Sequence, residues 1–245
     1  ILGEDGRKMS KRWGNVIDPL DVIAEYGADA FRCYEMFMGP LEQMKPWSMK
    51  GVEGVSRFLA RVWRLVMEEN QAGEWVLSAQ VQEIEQGKAQ LKVLHATIKK
   101  VTEDIETLSF NTAISQMMIL VNALTNAPAN SAAAVRTLLL LLNPFAPHLT
   151  SELWETLARK FGDMGEITSQ SWPVFDPARL VEDEVDIIIQ VNGKVRDKTR
   201  VALETPDAEL ERLALANARV QEFIGDKQVR KVVVIKNKLV NIVAT

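Results

Sequence analysis

The sequence contains a single cysteine, Cys33, and has no long hydrophobic run. One thiol cannot form an intrachain disulfide or build a cysteine-rich zinc site, so we expect no metal-binding residues. A reduced thiol also fits a cytoplasmic location. The longest aliphatic run covers residues 138–142 and is too short to span a bilayer, so we expect no contact with a membrane.

The sequence also lacks a strong charge of either sign, since its formal net charge is −4 at pH 7. This balance argues against a protein that coats nucleic acid generally, and any RNA contact must come from local basic clusters. Hydrophobic residues make up 47% and charged residues 25%, which is typical of a soluble protein with a core. The first residue is Ile1 rather than Met, so we expect a cut end.

The spacing of apolar residues predicts a mostly α protein. Asp18 and Pro19 are typical of a helix start, and the short helices that follow are expected to break at Gly27 and at Gly39. Beyond these, apolar residues recur at spacings of three and four in residues 52–66, 91–108, 114–124, 135–142 and 149–157. Short connections between most of these helices predict an antiparallel bundle, with a polar connector at about residues 68–88.

The period of the pattern changes from about 3.6 to 2 after residue 184. A strand at residues 185–191, an Asn192-Gly193 turn and a return strand at 194–203 predict a hairpin. A helix ending at Ile224 and two further strands complete a ββαββ order. We therefore predict a C-terminal α+β domain at residues 185–245, preceded by a linker at 171–184.

Four cations alternate along the return strand of this hairpin: Lys194, Arg196, Lys198 and Arg200. Alternate residues of a strand share one face, so the four are expected to lie together on a face suited to phosphate oxygens. The alternative is a solvated strand face. A two-residue turn would place the cations beside the core, which is costly, so we prefer an odd, three-residue loop.

With that odd loop, the apolar side chains of the hairpin share the core face and the cations share the polar face. The expected core residues are Val195, Val201, Ile187 and Ile189, and the cations are expected beside Gln190 and Asp186.

Near the start, the segment Lys8-Met9-Ser10-Lys11 is followed by Gly14-Asn15 and Asp18-Pro19. Two lysines three residues apart on a loop are able to place two ammonium groups on one polyphosphate. Fixed cations stabilise the negative charge that moves onto leaving pyrophosphate. The alternative is a solvated basic loop.

This segment is similar to the KMSKS signature of class I aminoacyl-tRNA synthetases. The resemblance implies that Lys8, Met9, Ser10 and Lys11 bind ATP, and that Lys8 and Lys11 are catalytic. It also implies ATP as the substrate, accompanied by Mg²⁺. The fifth position holds Arg12 instead of the usual serine.

Other segments resemble bacterial leucyl-tRNA synthetases in particular. Residues 51–63 resemble the helix that opens their anticodon-binding bundle, and residues 190–196 and 237–243 resemble their C-terminal domain. Residues 110–113 and 144–148 are similar to bundle signatures shared with the isoleucyl, valyl and methionyl enzymes. A single cysteine excludes the zinc module that usually ends isoleucyl enzymes. The sequence also has no heptad repeat, which argues against the C-terminal coiled coil that a valyl enzyme would have.

The resemblance implies a C-terminal part of a leucine–tRNA ligase, which attaches leucine to tRNA(Leu) through a leucyl-adenylate. The implied partners are tRNA(Leu) and an N-terminal catalytic and editing portion, in an enzyme that is monomeric at full length. The second ATP motif, His-x-Gly-His, is missing, since neither His95 nor His148 adjoins a suitable glycine. His148 is instead expected to be hydrogen-bonded at a helix start. The chain alone should therefore be inactive.

The domains implied are the end of the catalytic domain with its KMSKS-like loop (1–50), a helical tRNA-binding bundle (51–170), the linker (171–184) and the C-terminal tRNA-binding domain (185–245). The alternative function is a non-catalytic tRNA-binding subunit of a split synthetase, or a stand-alone tRNA binder. The lysine pair favours the enzyme, because a pure tRNA binder has no use for an ATP-contacting loop.

Overall fold

The computed structural model describes residues 1–162, 164–180 and 184–245. The chain divides into two compact units, residues 1–180 and 181–245. Each unit has its own cluster of buried apolar side chains. The predicted fold class is confirmed in outline, because the chain is mainly helical and carries a small mixed sheet.

The helices of the first unit agree with the predicted apolar periodicity. They are α1 (Pro19–Tyr26), α2 (Ala28–Phe37), α3 (Met49–Val66), α4 (Lys88–Glu106), α5 (Phe110–Thr125), α6 (Ala132–Leu142) and α7 (Pro147–Phe161). The predicted helix start at Asp18 is confirmed, because its side chain accepts a hydrogen bond from the Leu20 N–H at 2.9 Å. The apolar faces of these helices form one core that extends from Val22 to Ile167.

The polar connector between α3 and α4 contains short strands that its composition did not predict. Strand β1 (Met67–Glu69) pairs antiparallel with β2 (Trp75–Leu77), and β3 (Val81–Gln82) pairs in parallel with β4 (Asn130–Ser131). The buried side chain of Gln86 accepts a hydrogen bond from the Ser131 N–H at 2.7 Å. The connector is therefore tied to the segment between α5 and α6.

A buried carboxylate joins α2 to the start of α7. Asp29 is 8% exposed and accepts hydrogen bonds from the backbone N–H groups of Leu149 at 2.7 Å and His148 at 3.4 Å. Its Oδ1 also lies 3.0 Å from Nδ1 of His148. Helix α7 has no capping side chain of its own, so Asp29 satisfies its free N–H groups. The predicted placement of His148 at a hydrogen-bonded helix start is confirmed.

The first ten residues of the predicted linker belong to the first unit. Residues 171–180 lie against α4, where Nε1 of Trp172 donates to Oγ1 of Thr102 at 2.8 Å. The Asp176 N–H donates to Nδ1 of His95 at 3.0 Å. The linker prediction was wrong here because two aromatic residues, Trp172 and Phe175, provide a surface for packing. The rest of the predicted linker is mostly outside the described residues, which omit 181–183.

The second unit is a four-stranded sheet with two helices. Its elements are β5 (Glu184–Val191), β6 (Lys194–Ala202), α8 (Asp207–Ala216), α9 (Ala218–Ile224), β7 (Val229–Ile235) and β8 (Leu239–Ala244). The strand order is β6-β5-β8-β7, with β5 parallel to β8 and the other neighbours antiparallel. The four predicted strands are confirmed.

The single helix predicted between the hairpins is divided at Asn217. The Oδ1 atom of Asn217 accepts from the Val220 N–H at 3.1 Å and so caps α9. Its Nδ2 donates to Oδ2 of Asp197 on β6 at 2.8 Å, which fixes the break against the sheet. An apolar pattern alone does not reveal such a break, because both helices bury the same side of the sheet.

Two glycines of α3 provide a matched test of packing. A Cβ added at Gly51 would lie 2.5 Å from Cε2 of Tyr34, whereas one added at Gly54 would meet no atom within 4 Å. Tyr34 is held by the hydrogen bond from the Ser48 N–H at 2.8 Å. We expect Gly51→Ala to lower the free energy of unfolding by about 1–3 kcal/mol. Gly54→Ala should raise it by about 0.5–1 kcal/mol, as measured by urea unfolding.

The opposite order of these two effects would show that the Tyr34 ring does not limit the approach of α2 to α3.

A second prediction concerns His95, whose pKa lies below the ordinary value of a histidine chiefly because burial disfavours the charged ring. Protonation would also cost the hydrogen bond from Asp176. A lowered folded-state pKa gives stability that is complete above the unfolded-state pKa and is lost as pH falls through the folded value. We expect His95→Gln to lose less stability than the wild type between pH 7.5 and 5, measured by urea unfolding.

An unchanged pH dependence in His95→Gln would contradict the assignment.

Candidate functional site

The lysine loop, defined as residues 7–15, is anchored at its base in the first unit. The Gly3 N–H donates to the Arg7 carbonyl at 2.8 Å and closes a turn that passes through Gly6 in the left-handed region. Leu2 forms an isolated antiparallel bridge with Lys8, and the Trp47 N–H donates to the Leu2 carbonyl at 2.8 Å. The loop therefore leaves from a fixed point beside α3.

A side-chain network braces the loop from within. Oδ1 of Asn15 accepts from the Ser10 N–H at 2.8 Å, and Nδ2 of Asn15 lies 3.2 Å from Oδ1 of Asp5. Asp5 also accepts from the Arg7 backbone N–H at 3.0 Å and from Nε of Arg7 at 2.8 Å. These bonds, led by the Arg7 backbone N–H, hold the pKa of Asp5 below its usual value.

Sequence reasoning included Asn15 in the motif but missed Asp5. The signal that was available is the Asp5-Gly6 dipeptide, which is typical of a turn.

The backbone around the lysines separates the buried residues from the exposed ones. Met9 packs against the core, and Ser10 accepts from the Arg12 N–H at 3.3 Å at the start of a short 3-10 helix, Lys11–Trp13. Lys8 and Lys11 are exposed, and neither ammonium group is paired with a carboxylate of the described residues. Both ammonium groups are therefore available to a polyphosphate.

Arg12 occupies the position at which the signature usually has serine. Its guanidinium carbon lies 5.3 Å from the centroid of the Trp13 ring, and that of Arg7 lies 5.0 Å from the same ring. The substitution thus adds a contact with Trp13 and leaves the backbone bonds at Ser10 in place.

In the second unit, the hairpin turn differs from the predicted odd loop. Val191 pairs with Lys194, so the loop has two residues, Asn192 and Gly193, both with positive φ. The prediction of a three-residue loop was wrong. The side-chain Nδ2 of Asn192 donates to the Ala244 carbonyl at 2.8 Å, and its Oδ1 accepts from the Ala244 N–H at 3.0 Å. These bonds favour the tight turn.

A β-bulge, and not the loop, changes which side chains of β6 face the core. Ile189 pairs with Asp197 but Gln190 pairs with Val195, so Arg196 is the additional residue. Val195 is 61% exposed, so its predicted place in the core was wrong. Beyond the bulge, Val201 is buried with Ile187 and Ile189 as predicted.

The bulge separates the four cations of β6. Nζ of Lys198 and Nε of Arg200 each lie 3.3 Å from a carboxylate oxygen of Asp186, on the sheet face opposite the buried residues. Hydrogen bonds from Lys198 and then Arg200 lower the pKa of Asp186. The guanidinium of Arg196 instead lies 3.9 Å from the centroid of the Phe223 ring on α9, and Lys194 lies exposed beside the turn.

The prediction that all four cations share one face was therefore wrong. The structure brings together only Lys198 and Arg200.

The metal that the resemblance implies has no evident protein site in the part of the chain that the structure describes. Within the described residues, no three His, Cys, Asp or Glu side chains converge in a way that would hold an ion. The same residues also contain no helix that is long and apolar enough to cross a membrane.

Comparisons with known proteins assign the chain to a family. A family model described as the anticodon-binding domain of tRNA ligase matches residues 88–212, which is about half of the chain. A second, described as tRNA synthetases class I (I, L, M and V), matches residues 1–45, where the lysine loop lies.

One solved structure is similar along nearly the whole chain. It is the agnB2 LeuRS of Agrobacterium radiobacter K84, crystallised as a ternary complex with tRNA and LeuAMS. The sequences are 28% identical, the TM-score is 0.69, and the match covers 99% of this chain and 31% of that chain. This chain therefore spans about a third of the length of that synthetase. The chain belongs to the class I tRNA synthetases of the I, L, M and V group, and it is similar to a leucyl enzyme of that group.

Proposed function

We propose that the chain supplies the ATP-contacting loop and tRNA-binding regions of a leucine–tRNA ligase. That enzyme attaches leucine to tRNA(Leu) through a leucyl-adenylate formed from ATP. The observation that carries the proposal is that the ammonium groups of Lys8 and Lys11 on a braced loop have no carboxylate partner in the part of the chain that the structure describes, together with the similarity of the chain to a leucyl enzyme. The similar synthetase was crystallised with tRNA, which supports tRNA as the partner.

The two lysines act on the charge of the departing pyrophosphate. The leucine carboxylate attacks the α-phosphorus of ATP. The bond between that phosphorus and the oxygen that links it to the β-phosphorus breaks, and pyrophosphate leaves with the negative charge. Cations that are already in position stabilise this charge without reorganisation of the site. Asn15 keeps the loop in place through its bond to the Ser10 N–H. Mg²⁺ would enter with the nucleotide as part of the substrate, and we assign it no protein ligand or step.

The first test replaces both lysines in an enzyme that joins this chain to the catalytic and editing portion of a leucyl enzyme. Lys8→Ala with Lys11→Ala should lower kcat of leucine-dependent ATP–pyrophosphate exchange about 10²–10³-fold or more, because each preorganised donor contributes about that much. The matched control is Lys50→Ala, an exposed lysine at the start of α3, which should leave the rate unchanged. Retention of wild-type exchange by the double variant would overturn the proposal.

The isolated chain is the blank in this experiment. It is expected to show no exchange, because it lacks the paired-histidine motif.

A non-catalytic tRNA-binding subunit remains the second candidate, and the match of an anticodon-binding domain to half of the chain favours it. The two candidates differ in the lysine loop. A subunit that only binds tRNA would tolerate loss of Lys8 and Lys11 with unchanged affinity and unchanged activity of its complex, whereas the ligase would lose exchange activity.

For the second unit we propose that the cations of β6 contact phosphate oxygens of tRNA(Leu). Lys198 and Arg200 share an exposed sheet face, and Lys194 is exposed at the turn. Asp186 competes with phosphate for Lys198 and Arg200, because both lie within 3.3 Å of its oxygens. Arg196 is the weakest candidate, since its guanidinium is stacked on Phe223.

The second test compares loss of these cations with loss of their competitor. Lys198→Ala with Arg200→Ala should weaken tRNA(Leu) binding and reduce the slope of log K against log[salt] by about 2, roughly one per lost cation. Asp186→Asn should strengthen binding, because both cations are freed. Binding is measured by filter retention between 50 and 300 mM salt. An unchanged slope in the double variant, or weaker binding by Asp186→Asn, would contradict the contact.

A further inference from the structure

The connector between α3 and α4 carries an exposed tryptophan that lies outside the helical core. We name residues 67–77, which contain β1 and β2, the tryptophan hairpin. The Trp75 ring lies 5.7 Å from the Trp63 ring of α3, edge to face at 74°. Trp63 packs against the core, whereas Trp75 is 46% exposed and the following Val76 is 37% exposed. These two exposed side chains contribute little to folding, because much of their apolar surface stays in water.

The turn of the tryptophan hairpin is fixed by its own hydrogen bonds. Oδ1 of Asn70 accepts from the N–H groups of Ala72 and Glu74, both at 2.9 Å. The Asn70 N–H donates to the Glu74 carbonyl at 2.9 Å, and Gly73 supplies a positive φ within the turn. The hairpin therefore presents Trp75 on an ordered backbone, which lowers the entropy that is lost when a partner binds.

The charge of the connector is of one sign. Residues 65–87 contain five glutamates and no lysine or arginine, in a chain whose formal net charge is −4. The five are all exposed, and within the described residues none forms an ion pair: Glu68, Glu69, Glu74, Glu83 and Glu85. Two of them accept hydrogen bonds from neutral donors only. Oε2 of Glu68 accepts from Oγ of Ser78 at 2.9 Å, and Oε2 of Glu74 accepts from Nδ2 of Asn70 at 3.1 Å.

The tryptophan hairpin is not suited to either ligand of the proposed function. Helix α3 begins beside the base of the lysine loop, where the Trp47 N–H donates to Leu2, and its 18 residues span about 27 Å. The hairpin follows the last residue of α3, so it lies at the other end of the helix from that loop. Its exposed carboxylates also repel the phosphates of RNA. A partner must instead be cationic and able to cover an indole, which describes a basic segment of another protein.

Arginine matches both parts of this surface. Its planar guanidinium stacks on an aromatic face, and its fork of N–H groups binds a carboxylate through two parallel hydrogen bonds. Tryptophan and arginine are also enriched among the residues that dominate protein–protein binding. Glu69 is the direct cross-strand partner of Trp75, so a carboxylate and the ring share one face of the hairpin. One guanidinium is therefore able to contact both groups.

We propose that the tryptophan hairpin is a docking site for an arginine-containing segment of a partner protein. One guanidinium of the segment stacks on Trp75 and pairs with Glu69. A second cation of the segment pairs with Glu74. This interaction goes beyond the proposed function and does not depend on it, because the lysines assigned to ATP take no part in it.

The test measures binding of a fluorescein-labelled peptide of four arginine–leucine repeats to the full chain by fluorescence anisotropy. Trp75→Leu keeps apolar surface but removes the ring, and it should weaken binding about fivefold, the effect of losing a cation–π contact. Glu69→Gln with Glu74→Gln keeps hydrogen-bond acceptors but removes two charges. The double variant should weaken binding about threefold at 50 mM salt and by less at 300 mM, because salt screens exposed charges.

The matched control is Glu103→Gln with Glu106→Gln, which removes two exposed charges from the last turn of α4, at the end far from the connector. This variant has the same net charge as the hairpin variant and should bind the peptide like the wild type. A peptide with glutamate in place of arginine should not bind to any of the proteins. Urea unfolding checks each variant, and Trp75→Leu is expected to stay folded because the ring is nearly half exposed.

Equal peptide binding by the wild type and Trp75→Leu would overturn the inference, and so would the absence of measurable binding by the wild type. An equal loss of affinity in the control at α4 would also contradict it, since binding would then follow net charge alone.

Two further measurements address other occupants of the surface. If Trp75→Leu weakens binding of a single-stranded RNA hexanucleotide, the ring serves RNA and the inference is wrong. If sedimentation velocity shows a dimer of the wild type that Trp75→Leu abolishes, a second copy covers the ring and the inference is equally wrong. We expect RNA binding and sedimentation to be the same in both proteins.

Discussion

The first unit depends on one buried carboxylate. Asp29 lies on α2, close in sequence to the lysine loop, and satisfies the N–H groups of His148 and Leu149 at the start of α7. Two further bonds cross the same boundary, from Arg32 to the Pro144 carbonyl and from the Cys33 thiol to the Phe145 carbonyl. Because a helix N-terminus attracts negative charge, the carboxylate fixes the distance between α2 and the start of α7. Helix α2, which follows the lysine loop in the chain, is therefore held to the helical bundle by these side-chain contacts as well as by the chain.

The same logic separates fixed charges from available ones. In the lysine loop, the acid Asp5 is occupied by Arg7 and Asn15, and neither signature lysine has a carboxylate partner within residues 1–162, 164–180 and 184–245. In the second unit, Asp186 occupies Lys198 and Arg200 directly. A charged surface is thus a poor guide to binding until its internal partners are known, because a cation held by a carboxylate must exchange that bond for a ligand.

The sequence predicted the features that follow from local chemistry. Helices with a strong period, the Asp18 cap and the lysine motif depend on residues that are close together in the chain. The features that it did not predict depend on distant partners. The packing of residues 171–180 requires Thr102 and His95, and the break at Asn217 requires Asp197. The two-residue turn was not predicted because the bulge at Arg196 cannot be recognised from a pattern of alternating residues. This bulge changes which side chains of β6 face the core.

The Asn192 turn has a consequence for how the second unit assembles. Hairpin turns usually form from their own residues, but this one is completed by the backbone of Ala244, and the Gly193 N–H donates to the side chain of Asn241 at 3.0 Å. Strand β8 therefore has to dock before the first hairpin reaches its final geometry. Bringing together groups about fifty residues apart slows the formation of native contacts, so this small sheet should fold in a single concerted step rather than hairpin by hairpin.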